Sequence, residues 1–222
     1  MSLSRLVHLC LATILWISIA GRISAQSSSS KHTKESSTTG ATAVDNGAVS
    51  NGIYRNKALG LACKIPEGWV LRTEEMNSQD QANDEEKPST QGTQRSTGEQ
   101  RVLLAAFSRP PEARGQDVNS SILIAAESVD AYPGLKDAAQ YFGPLTEVAK
   151  AQGFAVDEEP YEFALGSRKL VRGDFHKDVG TRVMRQSTLA FLSHGYAVSI
   201  TILGGTEDEV EELIDGISFT GK

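Results

Sequence analysis

Cysteine is nearly missing from this chain. Its 222 residues hold two, and Cys10 lies in an N-terminal apolar run, which leaves Cys63 alone in the remainder. One cysteine cannot close a bridge within the chain, so an exported domain built from it is held by its core alone. Cys63 sits in an apolar stretch and reads as a small buried hydrophobe, with no Lys- or His-rich surround to activate it. Cationic residues are also in deficit, 22 Lys+Arg against 28 Asp+Glu. With no basic cluster, the chain lacks the dense positive charge that nucleic acid or an anionic membrane surface rewards. No G-x-S-x-G elbow is present, and Gly204-Gly205-Thr206 lacks the Lys-Ser/Thr of a phosphate loop. Beyond Ala20 no apolar run approaches the roughly 20 residues that span a bilayer.

What is present begins with Arg5, the apolar run Leu6–Ala20, Gly21-Arg22 and Ile23-Ser24-Ala25. The run is short for a membrane span and ends in small residues, the pattern of a secretory signal peptide over residues 1–25. An uncleaved anchor is the alternative. Losing Arg5 and Arg22 takes the formal charge from −6 to −8. Residues 26–51 are rich in Ser, Thr, Gly and Ala. They are expected to form a flexible spacer, because they carry too little apolar surface to offset ordering entropy. The folded domain is expected over 52–222, ample for one core. Within it, Glu74–Gln100 has no apolar pattern and reads as a solvated, mobile insertion.

The domain is organised around its C-terminal run. Arg182–Ser193 and Tyr196–Leu203 are apolar-rich segments joined by His194-Gly195, a two-residue hairpin signal. Thr206 and Glu209 then form a capping box, and Val210, Leu213, Ile214 and Ile217 keep helical spacing on one side of an otherwise acidic helix. Upstream, short strands are expected at Ile53–Arg55, Leu59–Ile65 and from Trp69. Arg101–Phe107 and Ser121–Val129 are apolar on both faces, as in the middle of a covered sheet. Leu135–Gln152 reads as a helix kinked or split at Gly143-Pro144. Val156–Leu165 and Arg168–Lys177 follow as strands. Strands, helix, four antiparallel strands and a closing helix give an α+β layered domain.

Tyr54, Asn56, Gly60-Leu61 and Ile65-Pro66-x-Gly68-Trp69 resemble the opening of PsbP-like domains, a superfamily that includes a photosystem II extrinsic subunit and a Ran-binding import factor. The central helix, the long hairpin strands and the acidic helix before Ile217-Ser218-Phe219 agree with it. The resemblance spans about Gly52–Phe219. It implies an antiparallel sheet sandwiched by helices in α/β/α layers, and it supplies no catalytic motif. No residue specific to photosystem or Ran binding matches.

Several residues are candidate sites. Asp174, His176 and Asp178 alternate along one strand and are compatible with a metal such as zinc or calcium, but a strand spaces them about 6.6–6.8 Å apart, too far to converge without a bend. His194 sits in a turn without a partner nucleophile, and His32 falls in the spacer. Arg172-Gly173-Asp174 spells an adhesion tripeptide inside a strand. Asn119-Ser120-Ser121 fits a glycosylation sequon. Glu207, Asp208, Glu211, Glu212 and Asp215 form an acidic helix face that is solvated or meets a basic partner. No catalytic, cofactor or metal residue is assigned from these. The expectation is a secreted or periplasmic, non-enzymatic binding or accessory module of the cell envelope. It would meet a protein partner, not nucleic acid or membrane, at a sheet–helix groove or at the rim near Tyr54 and Trp69. A hydrolase-type enzyme or a weak metal binder is the alternative.

Overall fold

A computed structural model describes residues 44–78, 100–113, 115 and 117–220. The expected signal peptide, with Cys10, and His32, most of the expected spacer and most of the 74–100 insertion lie outside the described residues. In chain order the elements are β1 Ala48–Ser50, β2 Ile53–Asn56, β3 Leu61–Lys64, β4 Val70–Leu71, β5 Arg101–Phe107, β6 Ser121–Ser128, α1 Ala138–Ala151, β7 Ala155–Leu165, β8 Arg168–Val179, β9 Arg182–Ser193, β10 Tyr196–Gly204, α2 Glu207–Asp215 and β11 Ile217–Phe219. The class is α+β, as expected. The sequence reading contained one sheet, however, and the chain forms two. A four-stranded sheet has the order β1-β2-β3-β11, and a seven-stranded one has β4-β5-β6-β10-β9-β8-β7, every described pairing being antiparallel.

The β9–β10 hairpin closes through His194 and Gly195 at φ of 52° and 81°. Positive φ at both positions is what a type I′ turn needs, and its twist matches that of the strands. Thr206 then caps α2, its Oγ1 accepting from the Glu209 amide at 3.2 Å, while Glu209 Oε2 accepts from the Gly205 amide at 2.8 Å. Val210, Leu213 and Ile214 are buried against the seven-stranded sheet. Burying three such side chains contributes roughly 5–9 kcal/mol as an upper figure. Ile217, expected on the same helical stripe, instead opens β11, because Gly216 ends the helix and the chain turns to pair with β3. The four-stranded sheet and α2 thus cover one face of the large sheet around Leu104, Ile124, Ile200 and Leu189.

The other face carries α1. Asp137 caps it by accepting from the Gln140 amide at 2.9 Å. The helix starts three residues later than Leu135, since Asp137 holds the extended backbone of a cap. It also continues through Pro144 as one element rather than two pieces. Proline there removes one donor, to the Gln140 carbonyl, and burial of Tyr141, Phe142 and Ala149 compensates. Phe142 lies so close to β8 that a Cβ at Gly173 would sit 2.6 Å from its ring.

The N-terminal boundary differs from the expected Gly52. Tyr54 Oη donates to the Asn46 carbonyl at 3.0 Å, Asn56 Nδ2 donates to the Asp45 carbonyl, and β1 pairs with β2. Polar groups on two fully buried side chains need those partners, so residues 44–51 belong to the domain rather than to a spacer. The insertion also begins with structure: residues 73–78 are helical. Beyond the short β4, this turn satisfies the edge of β5. Thr73 Oγ1 accepts from the Ala105 amide at 2.9 Å, and the Asn77 side chain accepts from the Val102 amide at 3.0 Å and donates to its carbonyl at 2.9 Å. An asparagine amide has the same donor–acceptor pair as a peptide unit, so Asn77 substitutes for one strand residue.

Candidate functional site

Asp174, His176 and Asp178 do alternate on β8, but they have separate partners. Both Asp174 carboxylate oxygens accept from Arg172 Nε at 3.0 Å, and Oδ2 accepts from Tyr161 Oη at 3.0 Å. His176 Nδ1 bonds Asp157, whose other oxygen lies 3.3 Å from Arg185. Asp178 is exposed near the strand end. Among the described residues no three His, Cys, Asp or Glu side chains converge on a metal position.

The acidic face of α2 divides. Glu211 pairs with Arg172, a side chain buried between β8 and the helix, while Glu207, Asp208, Glu212 and Asp215 face solvent. Burial pulls the Arg172 guanidinium down, but the hydrogen bonds and charges of Glu211 and Asp174 outweigh it and hold it above its ordinary value. Arg172-Gly173-Asp174 is therefore an internal ionic link and a helix-packing glycine. Asn119 is likewise engaged, accepting from Ser108 Oγ and the Arg109 amide and donating to the Arg109 carbonyl. Cys63 is wholly buried, and burial pushes its thiol up to about 12. His194 is exposed in its turn beside Ser193 Oγ at 2.9 Å. Tyr54, expected on a contact rim, is 1% exposed.

Sequence reasoning missed a carboxylate held by two phenols. Glu127, at the end of β6, accepts from Tyr141 Oη at 2.8 Å and from Tyr132 Oη, and the two rings meet edge to face at 5.2 Å. Burial, with the Glu127 charge second, drives the Tyr141 hydroxyl well above the usual phenol range. The group fastens the turn before α1, and α1 itself, to β6. The signal available in the sequence was a glutamate ending an apolar strand, with two tyrosines shortly after it.

One opening among the described residues lies in the large sheet. Strands β8 and β9 pair from Val179↔Arg182 up to Val171↔Ala190. Both strands continue past that point. Arg168–Leu170 pairs only with β7 on its far side, and Phe191–Ser193 only with β10. The ladder between them ends there, and a shallow cavity of about 270 Å³ is lined by Arg168–Val171 and Phe191–Leu192 of the two strands and by Lys136–Ala138 at the start of α1. Arg168 lines it. Its guanidinium lies 4.3 Å from the Phe191 ring centre and 5.0 Å from that of Phe219, and Nη1 donates to the Leu59 carbonyl at 3.2 Å. Burial lowers its pKa, and no carboxylate pairs with it among the described residues. The two acidic side chains nearby are committed elsewhere: Asp137 caps α1, and Glu162 lies 3.7 Å from Lys169.

No protein-family model and no curated protein matches the chain. Solved structures weakly similar to it include two of bacterial proteins. LpqN, involved in cell envelope biogenesis of Mycobacterium tuberculosis, is 12% identical over 72% of this chain and 83% of its own, with a TM-score of 0.35. PA94 of Pseudomonas aeruginosa, a protein of unknown function, is 12% identical over 61% of this chain and 90% of its own, with a TM-score of 0.37. At these values neither likeness assigns a role.

Proposed function

We propose that the chain is an exported, non-enzymatic binding module of PsbP-like fold that works in the cell envelope and meets a protein partner at the split between β8 and β9. The observation that carries this reading is the early end of the β8–β9 pairing, which leaves Arg168–Leu170 and Phe191–Ser193 without a ladder to each other beside the cavity. Backbone donors and acceptors facing such a gap need partners. The other chemistry-bearing groups support the same reading. Asp174, Glu211, Glu127, Glu209 and Asp157 each bond to other residues of this chain, in contacts that join one element to another. Export is supported by the apolar run Leu6–Ala20 and the small residues after it.

A photo-crosslinking residue at Lys169, beside the gap, tests the reading when the full chain is expressed in its own host. The control is the same residue at the solvated Asp208 on α2. A discrete adduct in the envelope fraction from position 169 alone supports a partner at the gap. Equal adducts from both positions, or an adduct only from 208, refute it.

A further inference from the structure

The gap has a polarity that points to what fills it. We propose that it takes an extended, carboxylate-bearing segment of the partner polypeptide, whose backbone enters between Arg168–Leu170 and Phe191–Ser193 and whose carboxylate is held by Arg168. This inference rests on the binding reading above and adds the chemistry of the ligand. Its first support is geometric. Two strands that part at one end present facing rows of backbone groups, and an added strand satisfies both rows at the usual spacing of about 4.8 Å. The size agrees. At about 270 Å³ the cavity falls at or below the roughly 300–1,000 Å³ of small-molecule pockets, and it is open rather than enclosing. A short length of chain suits such a slot better than a whole metabolite does.

The second support is charge. Lys136, Arg168 and Lys169 border the gap in a chain that is acidic as a whole. Asp137 Oδ1 caps its helix and Glu162 lies beside Lys169, so among the described residues no carboxylate pairs with Arg168. Its guanidinium lies over the Phe191 ring, with Phe219 close by, contacts that restrict it before anything binds. One donor goes to Leu59, and the guanidinium has four more. A planar, pre-oriented guanidinium is suited to bidentate capture of a carboxylate.

The test uses the full chain and two end-capped five-residue peptides, one alternating valine and glutamate and the other valine and glutamine. Binding is read by fluorescence anisotropy and located by hydrogen exchange. The glutamate peptide is expected to bind at least tenfold more tightly and to slow exchange across 168–171 and 190–193. Arg168→Gln is expected to abolish the preference. Arg168→Lys, which keeps charge without the fork, is expected to reduce it severalfold, and so is Lys136→Glu, at an exposed position, with the melting temperature of Lys136→Glu unchanged. Equal binding of both peptides at the gap overturns the carboxylate assignment and leaves the binding reading standing. Displacement of the peptide by glutarate at equal affinity overturns the extended-chain part. Absence of exchange protection at the gap with either peptide overturns the inference together with the reading beneath it.

Discussion

Gly173 shows how closely α1 is seated, and replacing it is the most direct check on the packing. A methyl group at this position would lie 2.6 Å from Phe142 Cε1 and 3.1 Å from Cδ1. Real Cβ contacts do not approach that distance, so the ring or the strand must move. Phe142 is 2% exposed and its neighbours Tyr141 and Ala190 are also buried, so the ring has little room to turn away. Inserting carbon into a filled core costs about 1–3 kcal/mol. Gly173→Ala should therefore lower the stability by about that amount, or the melting temperature by about 2–12 °C for a domain of this size. An alanine in a strand would otherwise be neutral or mildly favourable, since it restricts the unfolded chain. A double-mutant cycle separates the two effects. Phe142→Ala alone should cost about 3–5 kcal/mol. In that background the Gly173 substitution should become neutral or stabilising, because its methyl now enters the vacated space. Urea unfolding of the four proteins gives the coupling energy directly. If Gly173→Ala is as harmless with Phe142 present as without it, α1 does not sit on β8 as described.

Four further outcomes follow from other contacts. Arg172→Met leaves Asp174 and Glu211 without their shared cation and should cost about 3 kcal/mol in urea unfolding, the lower end of the range for breaking a buried pair, because Glu211 is 44% exposed. Stability should fall as pH rises from 9 towards 12: Cys63, Tyr54 and Tyr161, whose ordinary values are 9 and 10, are each raised to about 12 in the folded state, so the unfolded chain loses their protons first. Cys63→Ala should flatten the start of that decline, read as the slope of unfolding free energy against pH, by up to about 1.4 kcal/mol per unit. A chain begun at Gly52 loses the Asp45 and Asn46 carbonyls that serve Asn56 and Tyr54, and should unfold about 1–3 kcal/mol more easily than one begun at residue 44. Cys63 should not react with a thiol reagent until the domain unfolds, a point that titration with and without urea checks.

Those parts of the fold with a local cause were legible in the sequence. The His194-Gly195 turn, the Thr206–Glu209 cap and the stripe Val210, Leu213, Ile214 depend on residues close together in the chain, and each stands where its spacing put it. What escaped depends on long-range choices. Ile217 fits a helical stripe by spacing alone, but Gly216 and the waiting edge of β3 decide otherwise. Asn77 looked like any polar residue of a loop until its amide met Val102, a residue 25 positions away. The pairing of Glu127 with Tyr132 and Tyr141 needs α1 laid on the large sheet so that Tyr141 reaches the end of β6. The gap in the sheet had no signature at all, because Arg168–Leu170 and Phe191–Ser193 have ordinary strand composition, and only their pairing partners reveal where the two strands part. The Arg172-Gly173-Asp174 tripeptide stands inside a strand, as expected, but that the Arg172 charge serves to hold Glu211 and Asp174 depends on α2 being laid against β8.

The way the large sheet ends limits how it can be extended. Along β5 the Asn77 amide occupies the place of a neighbouring strand, and along β7 Pro160 and two register shifts spoil the ladder an incoming chain would follow. Part of each flank is thus a poor template for the stacking by which sheets polymerise. The same two devices, an amide standing in for a strand and a proline in an outer strand, work against self-association at those stretches of the sheet.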